Sequence, residues 1–344
     1  MKKIDNNEVL KRKQITKQIM DICANLPDCC DTFFTTTGMS MAASTRLAYA
    51  RELDWFFDYL IENCEYFYDK QKKAITIDDI KNITSEDISR YITMFRDLGR
   101  MERTLARKRA ALSRFFTYLT DNRRIPFNPV IASEKVKVHQ SDTVTYLDIN
   151  EQIKFINAVE TGETLTDKQK KYHNKYKLRD TALILLLLDT GMRVSELQGI
   201  NLHDIDFDNC SIIITRKGGN ISTIYFSDEA KEPLYEYYMY RKNIEGVSGA
   251  DALFTSAQGV RLSVRAIEKL VKKYATATLP GKGNHISPHK MRSSFAMTFY
   301  EETKDILALQ RKLGHKSIAV TNIYAKATDE KMKETRNVLP PKRK

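Results

Sequence analysis

From residue 44 onward the apolar positions of the chain fall at helical spacing. Leu53, Phe56, Phe57, Leu60 and Ile61 stand at i, i+3, i+4, i+7 and i+8, the buried stripe of an amphipathic helix. Thr84-Ser85-Glu86-Asp87 opens a second helix with a capping-box-like start, and Ile88, Tyr91, Ile92 and Phe95 share one of its faces. A third carries Leu105, Leu112, Phe115, Phe116 and Leu119, while Arg103, Arg107, Lys108, Arg109 and Arg114 occupy its other positions. Residues 1–40, by contrast, read as a polar, weakly periodic extension. Pro126-Phe127-Asn128-Pro129 ends the helical block, because prolines stop a helix and favour extended chain. Residues 131–145 then read as a polar linker with Lys135, Lys137 and His139, and a new helix opens at Asp148 with Glu151 three residues on.

The second block is mostly helical around a short β region. Ile212, Ile213 and Ile214 form a β-branched run, Lys217-Gly218-Gly219-Asn220 follows, and a second apolar run extends from Ile221 to Phe226. Two such runs across a Gly-Gly-Asn turn predict a hairpin. The pattern therefore predicts a mainly α protein with a small antiparallel β-sheet in its second domain. It divides into an extension at 1–40, a helical domain at 41–138, a linker at 139–147 and a second domain at 148–344. A length of 344 residues suits two domains and suffices to bury a real core.

Charge sharpens this picture. The chain carries 56 Lys and Arg against 44 Asp and Glu, a net charge of +12. That excess favours a polyanionic partner, nucleic acid before membrane, since no lipid-anchor motif accompanies it. The basic face of the third helix, with Arg103, Arg107, Lys108 and Arg114, suits a helix laid against a phosphate backbone. The longest strongly apolar run, Ala182 to Leu188, falls far short of the ~18 residues of a membrane span. No apolar core follows the basic N-terminus, so the expected location is cytoplasmic. Five cysteines, Cys23, Cys29, Cys30, Cys64 and Cys210, form no C-x-x-C pair and imply neither a disulfide framework nor a zinc site.

Three segments of the second block concentrate groups that bind phosphate or move protons. In Thr190-Gly191-Met192-Arg193-Val194-Ser195-Glu196-Leu197, Arg193 and Glu196 share a face of a new helical turn, so the carboxylate can hold the guanidinium. In Ser287-Pro288-His289-Lys290-Met291-Arg292, proline suits the helix start and His289 and Arg292 project together. The third is Leu313-Gly314-His315-Lys316, followed by Tyr324.

The order Arg…Lys…His-x-x-Arg…Leu-Gly-His…Tyr resembles the tyrosine recombinases, the phage-integrase-type enzymes of DNA strand exchange, over residues 40 to 330. By that resemblance the first block corresponds to a helical, SAM-like core-binding domain and the second to the catalytic domain, together a clamp on duplex DNA. The resemblance implies Tyr324 as nucleophile, giving a 3′-phosphotyrosyl bond and a free 5′-hydroxyl without ATP. It implies Arg193 and Arg292 as clamps on the non-bridging oxygens, with His315 as a further donor. Lys217 is the implied general acid at the leaving 5′-oxygen, His289 assists proton movement at the nucleophile, and Glu196 orients its neighbours. It implies no cofactor and no metal, and a homotetramer on two DNA sites that is monomeric or weakly associated off DNA. A docking tail would follow Tyr324, with Glu330, Met332, Val338 and Leu339.

This chain departs from the family pattern in places. Arg216 precedes Lys217 where many members carry glycine, so the general acid is Lys217, Arg216 or shared between them. Ser293-Ser294-Phe295-Ala296 replaces the frequent His-Thr-Phe-Ala. Residues 161–178, rich in lysine, read as an insertion that is either a charged surface loop or an added DNA contact. Asp204, Asp206 and Asp208 alternate beside His203 as a metal cluster would, but the favoured reading is the solvated side of the strand or turn entering the hairpin. Gly281-Lys282-Gly283 is only a fragment of a phosphate loop. The resulting expectation is a site-specific integrase of a mobile element. Its competitors are a non-catalytic DNA-binding protein on the same fold and a type IB topoisomerase-like enzyme; a metal-dependent nuclease is a distant third.

Overall fold

The structure is a computed structural model that describes residues 6–138, 144–216, 219–243, 251–315 and 317–325. Lys217 and the tail residues Glu330, Met332, Val338 and Leu339 lie outside the described residues. The chain divides into two compact units, Met1–Gln140 and Ser141–Lys344.

The first unit holds α1 (Asn6–Cys23), α2 (Asp28–Thr36), α3 (Ala43–Asn63), α4 (Ile77–Ile80), α5 (Ser85–Asp97), α6 (Glu102–Asp121) and α7 (Pro129–Ala132). Helices α3, α5 and α6 pack together through the stripes expected of them, with Leu53, Phe56, Phe57, Leu60, Tyr91, Leu112, Phe115 and Phe116 fully buried. Thr84 and Asp87 form the anticipated capping box at the start of α5. The reading of residues 1–40 as a polar extension is corrected: α1 and α2 belong to this core. Ile19, Cys23, Leu26, Cys29, Cys30, Phe33 and Phe34 are all buried in it. Their signal was diluted because three of the seven core positions are cysteines, which serve here as small hydrophobes.

The uniformly basic outer face of α6 also needs correction. Arg103, Arg107 and Arg114 are exposed, and their spacing aligns them on one stripe of the helix. Lys108 is turned inward, 3% exposed. Its ammonium lies 2.9 and 3.0 Å from the Glu52 carboxylate oxygens, and Tyr91 Oη donates to the same group at 2.6 Å. The Phe95 and Trp55 rings lie 3.6 and 4.5 Å from Nζ. The charge has been taken out of water and paired, so Lys108 is not available to a phosphate. Arg109 likewise turns to the carbonyls of Val130, Ser133 and Glu134 behind α7.

The second unit is organised around α9 (Asp167–Thr190), against which α8 (Ile149–Thr161), α10 (Val194–Gln198), α11 (Asp228–Lys242) and α13 (Pro288–Thr303) pack. Helices α12 (Val264–Thr278) and α14 (Ile306–Leu313) complete it. Strands β1 (Ile205–Asp206), β2 (Ser211–Thr215) and β3 (Ile221–Tyr225) form a three-stranded antiparallel sheet, with Ile212 opposite Ile224. Asp148 and Glu151 form the anticipated capping box on α8.

Residues 161–178 are not a surface loop, since most of them form the first half of α9. Buried His173 bonds through Nδ1 to Tyr274 Oη at 3.0 Å, and Tyr274 donates to Asp180. Gly162, left-handed at φ +71°, ends α8 directly against the His173 ring. The lysines of this segment (168, 170, 171, 175 and 177) remain exposed on the helix. The alternating aspartates are occupied by backbone: Asp204 accepts from Asn201 N–H, and Asp206 accepts from the N–H groups of Asp208 and Asn209. Lys282 is ion-paired to Glu151. Among the described residues no helix is long and apolar enough to cross a membrane.

Candidate active site

Four chain segments meet around Arg292. Helix α9 stops at Gly191, whose φ of +60° is left-handed, and the chain turns at once into α10. A side chain at 191 would strike the Phe295 ring, with a Cβ 2.2 Å from Cδ1. Glycine is therefore needed both for the turn and for the approach of α13. Arg193 follows, bound twice to Glu196: its backbone N–H and its Nη1 each donate to a carboxylate oxygen at 2.8 Å. The Glu196 side chain is 2% exposed and that of Arg193 34% exposed. A buried carboxylate thus grips the guanidinium from behind and leaves its outer edge to solvent.

Pro288 opens α13 with Ser287 as cap, accepting from Lys290 N–H. His289 comes out exposed on the first turn, and Arg292, one turn on, is buried at 3% exposure. Arg292 donates from Nη1 to the carbonyl of Gly191 at 2.6 Å and from Nη2 to that of Leu313 at 2.5 Å. Two helix C-termini therefore orient one guanidinium. Of its five N–H groups, three are left for other acceptors.

Helix α14 also ends in a left-handed glycine, Gly314 at φ +63°. His315 follows. Its Nδ1 lies 3.0 Å from Thr321 Oγ1, and its carbonyl accepts from Gln310 Nε2. Burial, then the positive charges of Arg292 and Arg193, with His289 and Arg216 behind them, push the His315 pKa down to about 4. His289 is also lowered, by packing around the ring and then by Lys290, Arg292 and Arg193. Arg292 is brought down to about 10 by burial and by Arg193, against the opposing influence of Glu196 and Tyr324. These mutual influences place Arg193, Arg292, His289, His315 and Tyr324 in one electrostatic neighbourhood.

Tyr324 lies on the short helical stretch 322–325 and is 3% exposed, packed in a small cluster with Phe295, Met297, Leu309 and Leu313. Arg216, at the end of β2, reaches across to α14 and donates to the carbonyls of Leu313 at 2.7 Å and Lys312 at 3.1 Å. The Ser293-Ser294 departure falls inside the fold, where both are buried and Ser294 Oγ accepts from Leu147 N–H. Sequence reasoning missed Thr321, fully buried beside His315. Its position three residues before Tyr324 was the only signal, and a threonine there names no chemistry.

Residues 154–331 match the phage integrase family, and residues 37–123 match the phage integrase N-terminal SAM-like domain. The chain is 31% identical over 317 residues to tyrosine recombinase XerC of Caldanaerobacter subterraneus subsp. tengcongensis, covering 89% of this chain and 84% of that protein. It is 29% identical to tyrosine recombinase XerS of Streptococcus agalactiae serotype III, covering 85% and 88%. In fold it resembles the XerH site-specific recombinase bound to difH substrate, with a TM-score of 0.61 at 22% identity over 86% of this chain and 79% of that one. It also resembles a lambda integrase dimer bound to a COC′ core site, with a TM-score of 0.60 at 16% identity over 94% and 83%. The chain therefore belongs to the phage integrase family and is a tyrosine recombinase, an enzyme that cleaves and rejoins DNA at specific sites.

Proposed function

We propose that this recombinase cuts and rejoins duplex DNA through a 3′-phosphotyrosyl intermediate at Tyr324, and that it serves integration and excision of a mobile element. The observation that carries the catalytic part is the carbonyl-anchored guanidinium of Arg292, with Arg193, two histidines and Tyr324 in its electrostatic neighbourhood.

The phenolic oxygen of Tyr324 attacks the scissile phosphorus as the bond from phosphorus to the 5′-oxygen breaks. The departing oxygen takes a proton and leaves as a 5′-hydroxyl. Reversal by a second 5′-hydroxyl rejoins the strand, and the phosphodiester energy is conserved in the tyrosyl ester. Arg193 and Arg292 hold the two non-bridging oxygens as charge develops. Fixed guanidiniums in a site that excludes water do this best, and losing one such donor costs on the order of 10²–10³ in rate. His315 is uncharged at neutral pH. The tautomer that serves a phosphate oxygen carries its proton on Nε2, and in that form Nδ1 accepts from the Thr321 hydroxyl 3.0 Å away. His289, exposed beside Arg292, moves the proton at the nucleophile, Glu196 holds Arg193, and Lys217 is the general acid. No metal or other cofactor has a part in this scheme.

Arg103, Arg107 and Arg114 present one basic stripe to the DNA backbone from the first unit, so that unit adds binding to the duplex that the second unit cuts. Exchange between two duplexes cuts four strands and each chain carries one nucleophile, so the working assembly is a homotetramer on DNA. The mobile-element role draws support from the fold it shares with the Tn1549 transposon integrase in complex with a circular intermediate DNA, at a TM-score of 0.63. A second reading, chromosome-dimer resolution, is favoured by the 29–31% identity to Xer-named recombinases against 20% to that integrase.

The test is covalent trapping. Wild type and Tyr324→Phe are incubated with nicked half-site DNA in chelator without ATP and run on a denaturing gel. A DNA-linked band for wild type alone supports the mechanism. Tight binding by both proteins without a band leaves a non-catalytic DNA-binding protein, and relaxation of supercoils without two-site products leaves the topoisomerase-like reading. Product topology on plasmids carrying two sites then separates integration and excision from dimer resolution.

A further inference from the structure

We infer that Arg216 is a positioning residue that acts through the Leu313–Gly314–His315 turn and fixes where His315 stands. This rests on the recombinase reading and goes beyond it, because it gives Arg216 a role other than the general acid.

Arg216 is half-buried, and each terminal nitrogen of its guanidinium donates to one of the last carbonyls of α14, Leu313 and Lys312. Leu313 O receives Arg292 as well, so two guanidiniums from different elements converge on one carbonyl oxygen. Arg216 is itself anchored through its backbone, because its N–H donates to Asn220 O at 2.7 Å and its carbonyl accepts from Gly219 N–H. The side chain therefore ties the end of the sheet to the turn carrying His315. Gly314 makes room for it: a Cβ there would lie 1.8 Å from Arg216 Nη1 and 2.5 Å from Cζ. The left-handed turn is capped independently by Gly314 N–H to Arg311 O and His315 N–H to Gln310 O. Arg216 is thus not needed to form the turn. It sets the position of the turn relative to Arg292.

The experiment uses the full chain with a suicide half-site, reading DNA affinity and single-turnover cleavage separately. Arg216→Ala is expected to bind DNA within about twofold of wild type and to cleave about 10- to 100-fold more slowly, the scale of an ångström-level misplacement. Arg216→Lys, which keeps the charge but not the fork, should remain slow. In a His315→Ala background the Arg216→Ala effect should shrink to less than about twofold, because the residue acts through the imidazole. Gly314→Ala should slow cleavage in wild type and do so less in Arg216→Ala, where the collision is gone. If Arg216→Ala itself folds poorly, Arg216→Lys decides the matter, because cleavage by it at the wild-type rate overturns the inference. Equal cleavage by Arg216→Ala and wild type overturns the inference, as does full additivity with His315→Ala. Recovery of Arg216→Ala on a substrate with a sulfur leaving group at the 5′ position also overturns it, making Arg216 the proton donor. Absence of any wild-type adduct would instead remove the recombinase reading beneath it.

Discussion

Gly191→Ala tests whether the junction of α9 and α13 is as tight as its geometry indicates. The residue is left-handed at φ +60°, and an L side chain there costs roughly 1–2 kcal/mol. The added Cβ would also lie 2.2, 2.8 and 3.0 Å from Cδ1, Cγ and Cε1 of Phe295, a ring buried among Ala296, Met297, Leu309 and Tyr324. Overpacking of that kind costs a further ~1–3 kcal/mol. Together the loss is about 2–5 kcal/mol, or roughly 4–20 °C in Tm for a unit of this size. Gly281→Ala is the internal control. Gly281 has φ +75° and nothing within 4 Å of its Cβ position, so it should cost the backbone strain alone, about 1–2 kcal/mol. The assay is calorimetric unfolding of both variants. Trp55, the chain's one tryptophan, reports the first unit by fluorescence and should not shift. Phe295→Leu should recover part of the Gly191→Ala loss in a double-mutant cycle. Equal losses at the two glycines, within about 0.5 kcal/mol, together with additivity at Phe295, would refute the packing argument.

Lys108→Ala should destabilise the first unit by about 3–5 kcal/mol, since it strands buried Glu52, whereas Lys108→Met with Glu52→Leu should recover most of that in urea unfolding followed at Trp55. On DNA, Arg103→Ala, Arg107→Ala and Arg114→Ala should each flatten the salt dependence of binding by up to about 0.9 in log–log slope, while Lys108→Met leaves it unchanged. His315 is held at about 4 against an ordinary 6.5, so the unfolded chain takes up its proton first as pH falls. Stability present above pH 6.5 is lost towards pH 4, by at most about 3 kcal/mol from this residue, and His315→Gln should fall less steeply over that window; parallel curves would exclude the effect.

The patterns that sequence revealed best were those repeated in one residue class. The stripes of α3, α5 and α6 are leucines, isoleucines and aromatics at helical spacing, and they bury as their periodicity implies. The hairpin was legible because an isoleucine run and a Gly-Gly-Asn turn agree. Helices α1 and α2 were not, because their buried stripe alternates cysteine with aromatics inside a polar sequence. Lys108 failed for a different reason: its position on α6 says only that it is basic. Its burial depends on Glu52, 56 residues away in sequence. The candidate site was legible as residue types but not as a frame. Nothing in Leu313 or Gly191 announces that their carbonyl oxygens orient Arg292, and Thr321 carries no signature of its own.

That frame of carbonyls has a physical logic. Arg193, Arg216 and Arg292 crowd like charge into one place beside two histidines, and this adds to burial in depressing the affinities of His315 and Arg292 for protons. Carboxylates would relieve the repulsion, but they would also neutralise the guanidiniums and compete with a phosphodiester for them. Carbonyls at helix C-termini relieve it differently. Each end carries roughly half a negative charge and accepts hydrogen bonds without forming a closed ion pair. Helices α9 and α14 both end in a left-handed glycine, which turns the chain away and leaves the Gly191 and Leu313 oxygens open to Arg292. Among the described residues the one carboxylate engaged, Glu196, grips Arg193 from its buried side and leaves the opposite edge exposed. The arginines are thereby fixed in direction yet keep their charge for the anion they are to clamp.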